Sequence, residues 1–210
     1  MPILYITKVQ LPGREKYLSA ATEDLVEVSW GDPISRRSYK KPEVGRVLSQ
    51  VAEEGFKKGL EVTFTVPKSV STAAEVLGDL RVRSAVIREA RGLGHRLFEV
   101  CPLRQRGLGD IRPKPRFIVF AHRATNPKKG EPQPHLHLHM VLFAAHVGRQ
   151  NHDLNELDLR PMFERRKMFH ARFLCGLAQR LRCLGYTIVP TKEGFELKES
   201  GEFMARQTTH

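Results

Sequence analysis

Pro134-His135-Leu136-His137-Leu138-His139-Met140-Val141-Leu142 is the stretch on which the reading of this chain turns. Apolar and polar residues alternate along it, which is the period of a β-strand with one face in a core. Leu136, Leu138, Met140 and Leu142 share the packing face, and His135, His137 and His139 share the other. Imidazoles placed in this way stand roughly 7 Å apart at their Cα atoms. Two of them can converge on one divalent cation, but a straight strand rarely brings in a third.

The third ligand must come from elsewhere. Immediately upstream, Phe117-Ile118-Val119-Phe120-Ala121-His122 reads as another strand, and a Pro-, Lys- and Gly-rich connection runs from Asn126 to Pro134. The two strands therefore form a hairpin with a long tip, and His122, at the end of its strand, is the best candidate. A second reading of the same residues stays open. His135-Leu136-His137-Leu138-His139-Met140-Val141 matches the histidine-triad pattern of nucleotide hydrolases and transferases, in which the middle imidazole is a nucleophile and no metal is needed. Other His-x-His hydrolases fit less well: a barrel needs a longer chain, and a metallo-β-lactamase needs an aspartate soon after the histidines.

Further out, Leu60 to Val66 alternates β-branched and polar residues as a strand ended by Pro67, and Ser69 or Ser71 is placed to cap a following helix. Leu80 to Val100 is helical in pattern. Pro161 suits a first helical turn, and Phe163, Phe169, Phe173, Leu174, Leu177 and Leu181 continue that helix to about Leu184, where Gly185 ends it. Tyr186 to Val189 and Phe195 to Leu197 form a closing pair of strands. At the start, Ile3 to Val9 is a short strand, followed after Pro12-Gly13 by a helix-compatible Arg14 to Ala21 that carries Tyr17. Thr22 to Lys41 shows no clean period and reads as irregular, and Val44 to Phe56 is helical. The 210 residues are taken as a single domain, with about 22–55 unassigned.

Composition narrows the partners. Thirty-five Lys and Arg against 23 Asp and Glu give a formal charge of +12, which favours a polyanion, because clustered cations release condensed counterions from phosphates. A basic nucleic-acid-binding module without catalysis meets that criterion too. The three cysteines are odd in number and lack paired spacing, so neither a disulfide framework nor a cysteine zinc site is expected. No leader and no membrane-spanning run is apparent, and the expectation is a soluble, cytoplasmic protein without membrane insertion.

Several segments together resemble the TrwC/TraI-type conjugative relaxases, within the HUH endonucleases. Leu60 to Val66 followed by Pro67-Lys68-Ser69-Val70-Ser71 resembles a distinctive strand and Pro-Lys-Ser-Val-Ser segment of that family. Ala121-His122-Arg123 and then Pro134 to His139 resemble its isolated histidine and its His-x-His, and Leu181 through Leu197 resembles its closing segment. The order along the chain agrees, and Tyr17 falls where the family keeps its nucleophile.

The resemblance implies an α+β fold, a two-layer antiparallel sheet of about five strands with helices packed on one face. It implies a divalent metal ion, Mn, Mg or Zn, bound by His122, His137 and His139, and attack by Tyr17 on single-stranded DNA to leave a 5′-phosphotyrosyl link. Glu61 stands where the family usually has aspartate, to orient an imidazole or take the tyrosine proton. Lys68, Arg123 and His135 are implied as substrate contacts. The implied partners are DNA, as a single strand or a hairpin origin of transfer, and conjugation accessory proteins. Departures are visible: Tyr17 is followed by Leu18 rather than a second tyrosine, the next tyrosine is Tyr39, and His135 stands where the family often has glutamine.

Overall fold

The computed structural model describes residues 4–10, 24–30, 36–39, 58–101, 116–124, 133–143, 146–147, 150–151 and 158–198. Tyr17, the helical pattern of 44–56 and most of the connection before Pro134 lie outside the described residues. Six strands form one sheet: β1 (Tyr5–Gln10), β2 (Asp24–Trp30), β3 (Arg36–Tyr39), β4 (Lys58–Thr65), β5 (Arg116–Ala124) and β6 (Pro134–Phe143). Their order is β1-β4-β6-β5-β2-β3, and every pairing is antiparallel. The sheet thus has six strands where about five were expected. The extra pairing comes from β2 and β3, which fall in the segment expected to be irregular; Val26-Glu27-Val28-Ser29-Trp30 of β2 does alternate, and only in β3, with Arg36-Arg37, is an apolar period lacking.

The histidine strand β6 lies between β4 and β5, so neighbours on both sides occupy its backbone hydrogen bonds. Leu60, Val62 and Phe64 of β4, Phe117, Val119 and Ala121 of β5, and Leu136, Leu138, Met140 and Leu142 of β6 share one buried cluster, as the alternation requires. Two helices cover it, α2 (Leu80–Glu99) and α4 (Arg166–Cys183), with Val82, Val86, Ala90, Leu93 and Leu97 from the first and Phe169, Phe173, Leu174, Leu177 and Leu181 from the second. Phe173 meets Phe64 with ring centroids 5.1 Å apart. Each such side chain contributes about 2–3 kcal/mol on leaving water. Gly94 lets α2 approach the sheet closely, since a Cβ there would lie 2.6 Å from the Met140 sulfur.

The expected final helix is broken in two, α3 (Arg160–Glu164) and α4, with Arg165 between them outside helical geometry. Its end is as read: Gly185 takes φ +94°, and the Tyr186 N–H donates to Leu181 O at 3.0 Å and the Gly185 N–H to Arg182 O at 2.9 Å. The short β7 (His146–Val147) and β8 (Gln150–Asn151) pair as a separate hairpin, as do the closing strands β9 (Ile188–Thr191) and β10 (Gly194–Leu197).

Between β4 and α2 lie a single turn of helix, α1 (Lys68–Ser71), and a π turn, Thr72–Val76. Neither serine caps this helix with its side chain. Ser69 Oγ donates to Glu196 and accepts the Leu197 N–H at 2.8 Å, which fastens the closing hairpin. Ser71, fully buried, accepts the Leu136 N–H at 3.1 Å. Leu136 sits where the β5–β6 register slips: His122 faces His137, yet Ala124 faces Pro134, so three steps along β6 answer two along β5. A bulge of this kind takes backbone groups out of the ladder, and Ser71 receives one of them.

The true cap of α2 is Asp79, which accepts the Arg81 N–H at 2.9 Å. Arg81 also grips the carboxylate through Nε and Nη2, and the Tyr186 hydroxyl donates to it at 2.9 Å. The arginine holds the Asp79 carboxyl below its ordinary value of 3.8.

Both contacts are open to test through stability. Ser71→Ala leaves the Leu136 N–H buried without its acceptor and lowers the unfolding free energy by about 1–3 kcal/mol in urea titrations; a variant as stable as the parent means that another group accepts this N–H. Because the folded pKa of Asp79 is depressed, its contribution is present above the unfolded value and is lost as pH falls through the folded one. The stability gap between parent and Asp79→Asn therefore narrows as pH is lowered below about 4, and a gap constant from neutral to acid pH contradicts this.

Candidate metal centre

The register decides which imidazoles meet. His122 lies opposite His137 across the β5–β6 pair, and His139 lies opposite Thr63 of β4 and Phe120 of β5. Residues opposite each other in an antiparallel pair share a face, so His122, His137 and His139 all project from the side away from the helices. One nitrogen from each lies within 4.8 Å of the other two. The ring centroids of His122 are 5.0 Å from His137 and 4.5 Å from His139. Among the described residues no other cluster of potential ligands of this kind occurs.

The fit to a cation can be judged from the contacts of the other ring nitrogens. His139 Nδ1 is 2.6 Å from Glu61 Oε1, and both side chains are buried. His137 Nδ1 is 3.0 Å from the carbonyl oxygen of His135. Each contact places the ring proton on Nδ1, where it donates, and leaves the Nε2 lone pair for a metal. Burial pushes His137 down to about 4, so its ring is neutral at physiological pH, the form that ligates. Three imidazoles suit Zn²⁺, Mn²⁺ or Cu²⁺ by ligand type, and two of the three make contacts that favour the tautomer a metal requires.

Glu61 lies opposite Val141, diagonal to His139, so its carboxylate reaches the ring without competing for the centre. Thr63 Oγ1 stands 3.3 Å from the same His139 nitrogen, an addition that the sequence reading did not contain. His135 is outside the triad: half-buried, it stacks on His137 with centroids 5.0 Å apart and planes 31° apart. It lines a cleft of about 500 Å³ with Thr65, Pro67, Lys68 and Gln133, and Lys68 is exposed there. Arg123 does not face this cleft; its Nε donates to Glu75 at 2.5 Å. The face with the histidines is not wholly polar, since Ile118, Phe120 and Val141 on the same side are also buried.

Comparison with known proteins bears on the kind of protein that carries such a centre. The family model of the TrwC relaxase matches residues 35–208. The chain belongs to the TrwC relaxase family. Among solved structures, the metal-bound form of conjugative relaxase TrwC with OriT DNA shares 21% identity over 92% of this chain and 75% of that one, at a TM-score of 0.67. A copper-bound form gives 20% identity, 93% and 75% coverage and a TM-score of 0.68. A complex with mutant OriT DNA gives 19%, 99%, 79% and 0.70. At these identities the likeness establishes the fold, an α+β sheet with helices. No curated protein sequence gives a match. Membership of the TrwC relaxase family settles the choice left open by the His135 to Val141 pattern in favour of the relaxase over the nucleotide hydrolase.

The contact between Glu61 and His139 can be probed directly. Glu61→Gln weakens the hold on the Nδ1 proton, and affinity for Zn²⁺ or Mn²⁺, measured by competition with a chromophoric chelator, falls by about 10- to 100-fold. An unchanged affinity assigns the carboxylate to packing alone.

Proposed function

We propose that this chain nicks single-stranded DNA at a specific site and strand, and transfers the strand through a 5′-phosphotyrosyl intermediate, as in the mobilisation of conjugative plasmids. The observation that carries the reading is the convergence of His122, His137 and His139 within 4.8 Å, in a chain of the TrwC relaxase family. The solved relatives are described as complexes with OriT DNA, and we extend that class of substrate, a single strand or hairpin, to this chain. The charge of +12 supports it.

His122, His137 and His139 would hold the divalent ion, Mn, Mg or Zn, which when bound would supply positive charge against the scissile phosphate. The chain's own residues carry the chemistry. Tyr17 is the nucleophile: its phenol oxygen forms a bond to phosphorus while the bond from phosphorus to the 3′ oxygen breaks, leaving a free 3′-hydroxyl. The phenol proton leaves to water and the departing 3′ oxygen takes up a proton from water, because an unperturbed tyrosine, with a pKa of about 10, is a poor nucleophile at neutral pH until it loses that proton. Glu61 orients His139 through its Nδ1, a role supported by the 2.6 Å contact between them. Lys68 and His135, which line one cleft, with the His135 ring stacked on His137, take phosphates that flank the scissile one. The setting of this reaction is plasmid DNA in the cytoplasm, alongside conjugation accessory proteins. No described helix is long and apolar enough to cross a membrane.

Incubation with single-stranded oligonucleotides and Mn²⁺ should yield a protein–DNA adduct that survives denaturation. Tyr17→Phe abolishes the adduct and chelation suppresses it. Absence of any adduct across hairpin-containing and random sequences, or an adduct undiminished in Tyr17→Phe, rejects this mechanism.

A further inference from the structure

Behind the triad, on the helical side of the sheet, the π turn Thr72–Val76 is closed by the Leu77 N–H donating to Thr72 O at 3.0 Å. A π turn spends one more residue per turn than an α-helix and rotates the side chains beyond it. Ala73 and Ala74 are buried as expected, but at the end of the turn the order is inverted: Val76 is 58% exposed, while the side chain of Glu75 is 3% exposed. An apolar side chain outside and a carboxylate inside is the reverse of the arrangement that hydration favours, unless cations hold the carboxylate. They do. Arg123 Nε lies 2.5 Å from one carboxylate oxygen and Arg83 Nε lies 3.9 Å from the other.

Arg123 directly follows His122, and both belong to the point where the β5–β6 register slips. Alternation along β5 turns His122 to the triad and Arg123 to the helices. His122 is the sole member of the triad from β5, whereas His137 and His139 come from β6. The mutual position of these two strands therefore sets the shape of the triad, at a place where the ladder between them is interrupted. Ser71 secures the β6 side of the slip through the Leu136 N–H. Glu75, further along the same helical segment, secures the β5 side through Arg123.

We propose that Glu75 is a positioning residue for the metal centre: its buried carboxylate, acting through Arg123, fixes β5 at the register slip and thereby the direction in which His122 presents its ring to a divalent cation. This rests on reading the triad as a metal centre. It assigns the π turn a purpose, since the inserted residue is what carries a carboxylate to the inside of the helix. It also gives Arg123 a task other than contact with a DNA phosphate.

Co²⁺ is a suitable probe, because its visible absorption reports the geometry of its ligands separately from affinity. Glu75→Gln, which keeps the shape and removes the charge, should weaken Co²⁺ binding by about 10- to 100-fold and alter the band shape. Arg123→Gln should do the same, and the double variant should be no weaker than either single one, as expected of residues acting through one contact. A fall in the thermal midpoint of the metal-free variants, with Co²⁺ affinity within about twofold of the parent and unchanged bands, overturns the proposal and leaves the ion pair a purely structural one. If Glu75→Gln does not fold, Arg123→Gln decides by the same criteria, its side chain being 40% exposed. Parental binding that is lost in His122→Ala but kept in both Glu75 and Arg123 variants refutes the positioning role alone. Binding by the parent that His122→Ala leaves intact refutes the metal-centre reading and this proposal with it.

Discussion

A one-residue slip between β5 and β6 is the constraint on which the rest of the centre depends. It lies directly beyond the row in which His122 faces His137, two of the three ligand candidates. A slip of one residue turns side chains over to the opposite face, so its place in the hairpin has to be held. The segment after β4 holds it from behind, with the Ser71 hydroxyl on one strand and the Glu75 carboxylate on the other strand's Arg123. The Pro-Lys-Ser-Val-Ser stretch thus owes its local form to a site on the far side of the sheet.

The same arrangement explains why so many polar groups tolerate burial. Glu61, His122 and His139 are all buried, as are Ser71 and Asp79. A carboxylate in such a place is costly alone and acceptable beside a proton donor that it also orients. Glu61 against His139 and Asp79 against Arg81 and Tyr186 each meet that condition. Among the described residues, buried polar groups lie along the histidine side of the sheet and in the segment between β4 and α2, with Arg83 on α2 and His170 on α4 besides, and the large apolar cluster lies between sheet and helices.

Much of this was legible in advance because periodicity is a local property. The alternation over 134–142 identified β6 and its two faces, Pro161 and Gly185 bracketed the final helical region, and the two segments around His122 and His137 read as a hairpin. Elsewhere the reading falls short. The alternation of Val26-Glu27-Val28-Ser29-Trp30 is a strand signal that the reading of Thr22 to Lys41 as irregular passes over, β3 with Arg36-Arg37 has no apolar period to show it, and nothing in the apolar pattern shows that Arg165 interrupts the final helix. Ser69 and Ser71 were read as helix caps, the commonest use of serine before a helical segment, although their hydroxyls serve strands distant along the chain.

The amino-acid order by itself determined the face on which the imidazoles stand, the helices that cover the opposite face and, through the resemblance of several short segments, the family. The triad of His122, His137 and His139 was already the expectation from the sequence and its resemblance; tertiary structure alone decided how closely these rings meet, that Glu61 reaches His139 diagonally, and that Glu75 turns inward to Arg123. The physical reason is that a β-bulge and a π turn each add a single residue to a regular repeat. Such an addition leaves no mark on hydrophobic periodicity, yet it redirects every side chain beyond it, and its place is set by contacts between residues distant along the chain.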